Sequence, residues 1–273
     1  PIGCVYSAKA LISGAYPLKV ITRLDFNLSH ETPMIFKLIP VTSPRQQIEN
    51  LHSQFSNNTL GEEFTDLYGN VGLRALLPIG LTSFEVRFEV TALEATPTNQ
   101  GKFVRIERLP PEVFPFLQPS RYCESDQFTG ITPEIVQKAA PGQPQIDVIA
   151  GYIASHYDYR PGSSQSPRGA LGVLQDDGGV CRDFAHLMIS MLRSLSIPAR
   201  YCVGYLQNLV PQDIHAWCEA YVGDQWVTIE TTPGLTDGER VLIAIGRDAA
   251  DVAVIDQFGP LPLTSSLSVS LSD

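Results

Sequence analysis

The 273-residue chain has no run of about 18 apolar residues, no CxxC pair, no calcium-binding loop of alternating acids around a glycine, and a deficit of positive charge. Each absence excludes something. Without the long apolar run, a membrane-spanning helix is not expected. Without close-spaced cysteines there is no basis for a structural zinc site or a disulfide framework. The five that exist, at 4, 123, 181, 202 and 218, are scattered and odd in number, which fits a reducing cytoplasm. With 19 Lys and Arg against 29 Asp and Glu the net charge is −10, so neither nucleic acid nor an anionic membrane is an expected partner. Cys4 to Leu18 is mildly apolar but contains Lys9 and Gly14 and lacks a basic leader, so it does not read as a secretory signal. The first residue is Pro1 rather than Met, which leaves a removed leader compatible with the sequence.

What is present suits a globular protein of two modules. Hydrophobic residues make up 44%, enough for a sizeable core, and no stretch has the polarity of a long disordered segment. The first half reads as β. "VITRLDFNLS" (Val20 to Ser29) and "SFEVRFEVTALEA" (from Ser83) alternate apolar and polar residues, with "MIFKLIPV" between them. "NTLGEEFTDLYGN" and Thr96 to Lys102 supply turns, and "FVRIER" a short further strand. A β-sandwich or small barrel is the expectation.

Four prolines between Leu109 and Thr132, at 110, 111, 115 and 119, mark an extended connection,. After it "TPEIVQKAA", with Thr132 as cap and Pro133 at the first helical position, and "IDVIAGYIASHY" read as helices. A polar loop follows from Asp158 to Gly169, then a short helical stretch to Leu174. From Val180 to Leu195 the apolar residues Phe184, Leu187, Met188, Met191, Leu192 and Leu195 recur at helical spacing, until Pro198 forbids continuation. Three strands, "ARYCVGYL", "HAWCEAYV" and "QWVTIETT", come next, and "SLSVSLS" closes the chain. The fold class is α+β, divided as a β-rich region over 1–125, a helix-and-sheet core over 126–260, and a C-terminal strand in 261–273 that is free to return to a sheet.

"GGVCRDFAH" carries the first chemical signal. A helix start exposes unpaired N–H groups and the positive end of the dipole, which favours a thiolate at Cys181. Gly178 and Gly179 would allow a tight turn and close approach of a substrate. Position alone leaves Cys181 open between nucleophile and small buried residue. A nucleophilic cysteine needs a base and an orienting third group. Gly223-Asp224 is a two-residue hairpin turn; pairing Val222 with Gln225 sets Tyr221 opposite Trp226 and Glu219 opposite Thr228. His215 and Glu230 then share one face as diagonal neighbours about 7–8 Å apart. The other face carries Ala216, Cys218, Ala220, Val222, Val227 and Ile229, so Cys218 is a packing residue, as is Cys202. His186, five residues past Cys181, falls about 140° round the helix and off the cysteine's face. His156 sits beside the polar loop and could line a cleft.

"GGVCRDFAHLMISMLRSLSIPARYCVGYL", "DIHAWCEAYV" and "WVTIETT", in this order, resemble the bacterial transglutaminase-like cysteine peptidase superfamily, whose core is papain-like. "PSRYCESD" (Pro119 to Asp126) and "IGRDAADV" (Ile245 to Val252) resemble segments of the branch with a β-rich N-terminal region. The resemblance implies Cys181 as nucleophile, His215 as base and Glu230 in the place of the usual Asp. It also implies a cysteine-bearing helix packed on an antiparallel sheet, and acyl-enzyme chemistry on an amide of a peptide or protein. The expected function is a thiol-dependent amide hydrolase or acyltransferase with no metal or other cofactor. The alternative is a catalytically silent scaffold that binds proteins through its β-rich half. Tyr159 and Gln175 are candidates for the oxyanion donor beside the N–H of Cys181.

Overall fold

The computed structural model describes residues 17–93, 101–163, 168–235 and 238–272. Most of the segment read against a secretory leader, most of the Thr96 to Lys102 turn, Cys4, and 164–167 of the polar loop lie outside them.

Six strands come first: β1 (Leu18–Leu28), β2 (Thr32–Ile39), β3 (Gln46–Phe55), β4 (Glu62–Thr65), β5 (Val71–Leu77) and β6 (Gly80–Ala92). Next come α1 (Ile131–Val136), α2 (Gln143–His156), the two-residue β7 (Asp158–Tyr159), α3 (Ala170–Leu174), β8 (Gly178–Gly179) and α4 (Cys181–Ser194). The chain ends with β9 (Ala199–Leu206), β10 (Ile214–Val222), β11 (Gln225–Ile229), β12 (Arg240–Gly246), β13 (Ile255–Gln257) and β14 (Thr264–Ser272). The protein is α+β, and no helix among the described residues is long and apolar enough to cross a membrane.

Strands of the first half and the last two strands of the chain together build two four-stranded sheets, ordered β14-β1-β6-β3 and β13-β2-β5-β4. The alternation in β1 buries Leu18, Val20, Leu24, Phe26 and Leu28 and leaves Lys19 and Arg23 outside. Each such side chain contributes about 1.5–3 kcal/mol on leaving water. Phe36 of β2 meets Phe84 of β6 at 4.8 Å between ring centres, which joins the two sheets. Thr22 interrupts the apolar row, and its hydroxyl is hydrogen-bonded to that of Tyr205 on β9. The β-rich half is thus anchored on the second half, and one apolar core runs through both.

A third sheet, ordered β11-β10-β9-β12, carries α4 on one face. The β10–β11 register follows the hairpin arithmetic: Val222 pairs with Gln225, Tyr221 with Trp226 and Glu219 with Thr228. Both turn residues, Gly223 and Asp224, have positive φ, the requirement of a type I′ turn. Among the described residues the outer edge of β12 has no strand neighbour. Two buried amide side chains from the β-rich half take that place. Gln46 donates to Leu242 O at 2.8 Å and accepts from Leu242 N at 2.9 Å. Asn70 donates to Ile245 O at 2.7 Å and accepts from Ile245 N at 2.8 Å.

Several elements differ from the sequence expectation. "FVRIER" forms no strand; Ile106–Arg108 is a 3-10 turn, as are Pro111–Leu117 and Ser125–Phe128 in the proline-rich connection. The prolines forbid α-helix but permit these tight turns. Thr132 does not cap α1, which starts one residue earlier. Its hydroxyl instead accepts from Ser194 at the end of α4, 2.9 Å away. The missed β3 is a mostly exposed, polar strand that pairs with β6, and so lacks the alternation that marks its neighbours.

Candidate active site

Cys181 is the first residue of α4 and is only partly buried. Asp183 shapes that helix start. Its Oδ2 accepts from Val180 N at 3.0 Å, supplying a donor-capping bond that Val180, with no side-chain acceptor, cannot reciprocate. Arg168 donates to the same oxygen at 3.3 Å and to Gly178 O at 2.8 Å, so one guanidinium ties the approach strand to the first turn. Neither Gly178 nor Gly179 has positive φ. Their small size is needed for the chain's own packing rather than for a turn. A Cβ on Gly178 would lie 2.6 Å from Asp158 O, and one on Gly179 would lie 2.8 Å from Asp183 Oδ2.

His215, near the start of β10, is almost wholly buried. Its Nε2 lies 2.9 Å from Glu230 Oε2, and its side chain also hydrogen-bonds Cys181. With Nε2 engaged, Nδ1 is the ring nitrogen left for the thiol. The structure thus brings together all three residues singled out in the sequence. Burial opposes charge on His215, but the hydrogen bonds with Cys181 and Glu230 outweigh it and push the imidazole up to about 9. Burial alone would raise the Glu230 carboxyl; the His215 and Arg240 contacts prevail and hold it at about 2. Glu230 Oε1 accepts from the backbone of Thr231 at 3.1 Å and of Thr232 at 2.9 Å, and Arg240 Nη2 donates to Oε2 at 2.8 Å.

The other cysteines and histidines go elsewhere. Cys123, Cys202 and Cys218 are buried, and desolvation raises each thiol, Cys123 to about 12. His186 is fully buried between Tyr122 and Tyr201, with ring centres 5.3 and 5.1 Å away. His156 is exposed, stacked on Tyr152 at 4.1 Å and bonded to that residue's carbonyl. Tyr159, on β7, pairs with Gly179 and is close enough to Cys181 that a thiolate there raises its hydroxyl, after burial, the larger cause. Gln175 is exposed at the end of α3. Among the described residues no three His, Cys, Asp or Glu side chains converge as metal ligands.

Sequence reasoning missed Arg168, Asp183 and Arg240. An acid three residues into a helix is a capping signal that could have found Asp183. Arg168 and Arg240 act across loops, and their spacing carries no sign of it.

The transglutaminase-like superfamily model matches residues 129–231. An uncharacterised protein of Mycobacterium leprae is 30% identical over 242 residues, covering 80% of this chain and 82% of that one. An uncharacterised protein of Mycobacterium tuberculosis is 32% identical over 144 residues, 45% of this chain and 46% of its own length. Among solved structures, a candidate cysteine protease of Cytophaga hutchinsonii superposes with a TM-score of 0.81 at 30% identity, covering 95% of this chain and 92% of that one.

Proposed function

Since the chain belongs to the transglutaminase-like superfamily, we propose that it is a thiol-dependent amide hydrolase or acyltransferase in which Cys181 is the nucleophile. The observation that carries this reading is the hydrogen-bonded series from the thiol at the start of α4 through His215 to Glu230. The solved relative, a candidate cysteine protease, supports the same kind of chemistry.

In the proposed cycle the Cys181 thiolate attacks the amide carbon and the oxyanion is met by the Cys181 N–H. Tyr159 is the better second donor, since it lies beside Gly179 and feels the charge on Cys181, whereas Gln175 is exposed at the end of α3. The His215 imidazolium gives its proton to the departing amine or ammonia, leaving a thioester. Neutral His215 then takes a proton from water or an incoming amine as it attacks the thioester carbon. Collapse releases the thiolate and restores the ion pair. Throughout, Glu230 remains ionised and holds the ring orientation.

The substrate class is a peptide or protein amide, with no metal or organic cofactor in any step. The four described cysteines are all free, which supports a reducing, cytoplasmic setting. A silent scaffold would suit a sealed cysteine, but Cys181 retains exposure. The test is incubation of wild type and Cys181→Ala with Gln-containing and plain peptides, with and without an added amine, followed by mass. Cleavage, deamidation or amine incorporation by wild type alone supports the proposal and names the reaction. Identical products from both proteins remove it.

A further inference from the structure

We propose that Arg240 is a positioning residue for the Glu230 carboxylate, and that the β-rich half holds Arg240 in place through the edge of β12. The inference rests on the reading of Cys181, His215 and Glu230 as the reacting series.

A glutamate has one more rotatable bond than an aspartate, so its carboxylate needs more fixing to serve one imidazole. Glu230 has four donors to do it. The two backbone N–H groups hold Oε1, and Arg240 Nη2 shares Oε2 with His215 Nε2. Among the described residues, only Arg240 bears on the oxygen that faces the ring and also lies off the segment carrying Glu230. It stands at the start of β12, three strands away in the order β11-β10-β9-β12.

Arg240 can hold a fixed angle only if its own strand is fixed. The β9–β12 register shifts between Leu242 and Ala244, and Arg240, Val241 and Leu242 pair with β9 on one edge only, leaving the other edge without a strand among the described residues. Gln46 closes that edge. Its amide exchanges two hydrogen bonds with Leu242, two residues beyond Arg240, as a neighbouring strand would. Gln46 is 3% exposed, and it also donates to Val41 O at 3.0 Å, which anchors it in the β-rich half. Asn70 repeats the device on the other side of the shift, at Ile245. The β-rich half thereby holds the open edge of the strand that orients the carboxylate, while β9 holds the other edge.

The test is the rate at which iodoacetamide alkylates Cys181, from about pH 5 to pH 9, in folded wild type, Arg240→Leu, Arg240→Lys and Gln46→Glu. Arg240→Leu slows alkylation near neutral pH about tenfold, one unit of lost support for the imidazolium. Arg240→Lys recovers part of the rate, because it restores a donor without the planar fork. Gln46→Glu, which keeps an acceptor for Leu242 N but loses the donor, slows alkylation less, and it adds nothing in the Arg240→Leu background. A wild-type or faster rate in Arg240→Leu overturns the proposal, since removal of a mere competing charge would strengthen the imidazolium. Full additivity of Gln46→Glu with Arg240→Leu overturns the link to the β-rich half. If His215→Ala alkylates as wild type does, the reacting series itself fails, and with it this proposal; if His215→Ala is slow while Arg240→Leu is not, only the positioning role fails.

Discussion

His215 Nε2 and Glu230 Oε2 lie 2.9 Å apart although fifteen residues separate them in sequence. Both side chains are buried, so the contact couples folding to pH. The folded His215 titrates at about 9 rather than 6.5; its contribution is full below the lower value and is lost as pH rises through the higher. Glu230 moves from 4.5 to about 2; its contribution is full above 4.5 and fades as pH falls through 2. The pair therefore stabilises most between the two ordinary values. Thermal melts of wild type and His215→Ala should differ most near pH 5 to 6 and converge above about pH 9. A gap that stays constant across that range would contradict the raised imidazole.

Glu230→Gln keeps the shape and removes the charge. Whichever way the new amide is turned, its NH2 group faces two donors, either Arg240 and His215 or the backbone N–H groups of Thr231 and Thr232. His215 should then titrate closer to its ordinary value, and peptide turnover should fall by about 100-fold or more. The alkaline limb of the rate profile should move down in pH. An unchanged limb would show that Glu230 does not support the imidazolium.

Asp183→Ala removes the acceptor for Val180 N and one partner of Arg168. Loss of a helix-start bond costs about 1 kcal/mol, and a weakened buried ion contact adds to it. The urea midpoint should fall with an unchanged slope. Cys181 heads the same turn, so its alkylation rate should fall as well. A stable but slow variant would place the effect on geometry rather than on folding.

How far the sequence reached depended on the range of the interaction. The β10–β11 pairing was legible because a two-residue turn fixes register, and the register put His215 and Glu230 on one face. The strands β1 and β6 were legible from alternation. β3 was not, since an exposed edge strand has little apolar signal to read. In the sequence Gly178 and Gly179 read as allowing a tight turn, but neither has positive φ, and a Cβ at either would meet Asp158 or Asp183, which no local pattern reveals. Arg240 was invisible for the same reason. Its partner lies three strands away, and charge alone does not say which acid an arginine will meet.

His186 offers the sharpest contrast with His215, because helix geometry removes it from the reaction and burial makes it a different kind of group. It is fully buried, and its Nε2 accepts from Ala249 N at 3.2 Å. Desolvation first, then the charges of Arg182 and Arg193, bring it down to about 3 from 6.5, so it is neutral in the folded protein. The unfolded chain binds the proton below 6.5, and the native state therefore loses stability as pH falls from there toward 3. His186→Phe fills similar space between the two tyrosines but leaves Ala249 N without its acceptor, a cost of about 1–3 kcal/mol at neutral pH. Below about pH 5 the variant should close that gap, since it has no imidazole to protonate. Alkylation of Cys181 should match wild type at every pH where both are folded. Slower alkylation would return His186 to the reaction, and a gap that widened in acid would mean that its imidazole is charged in the native state.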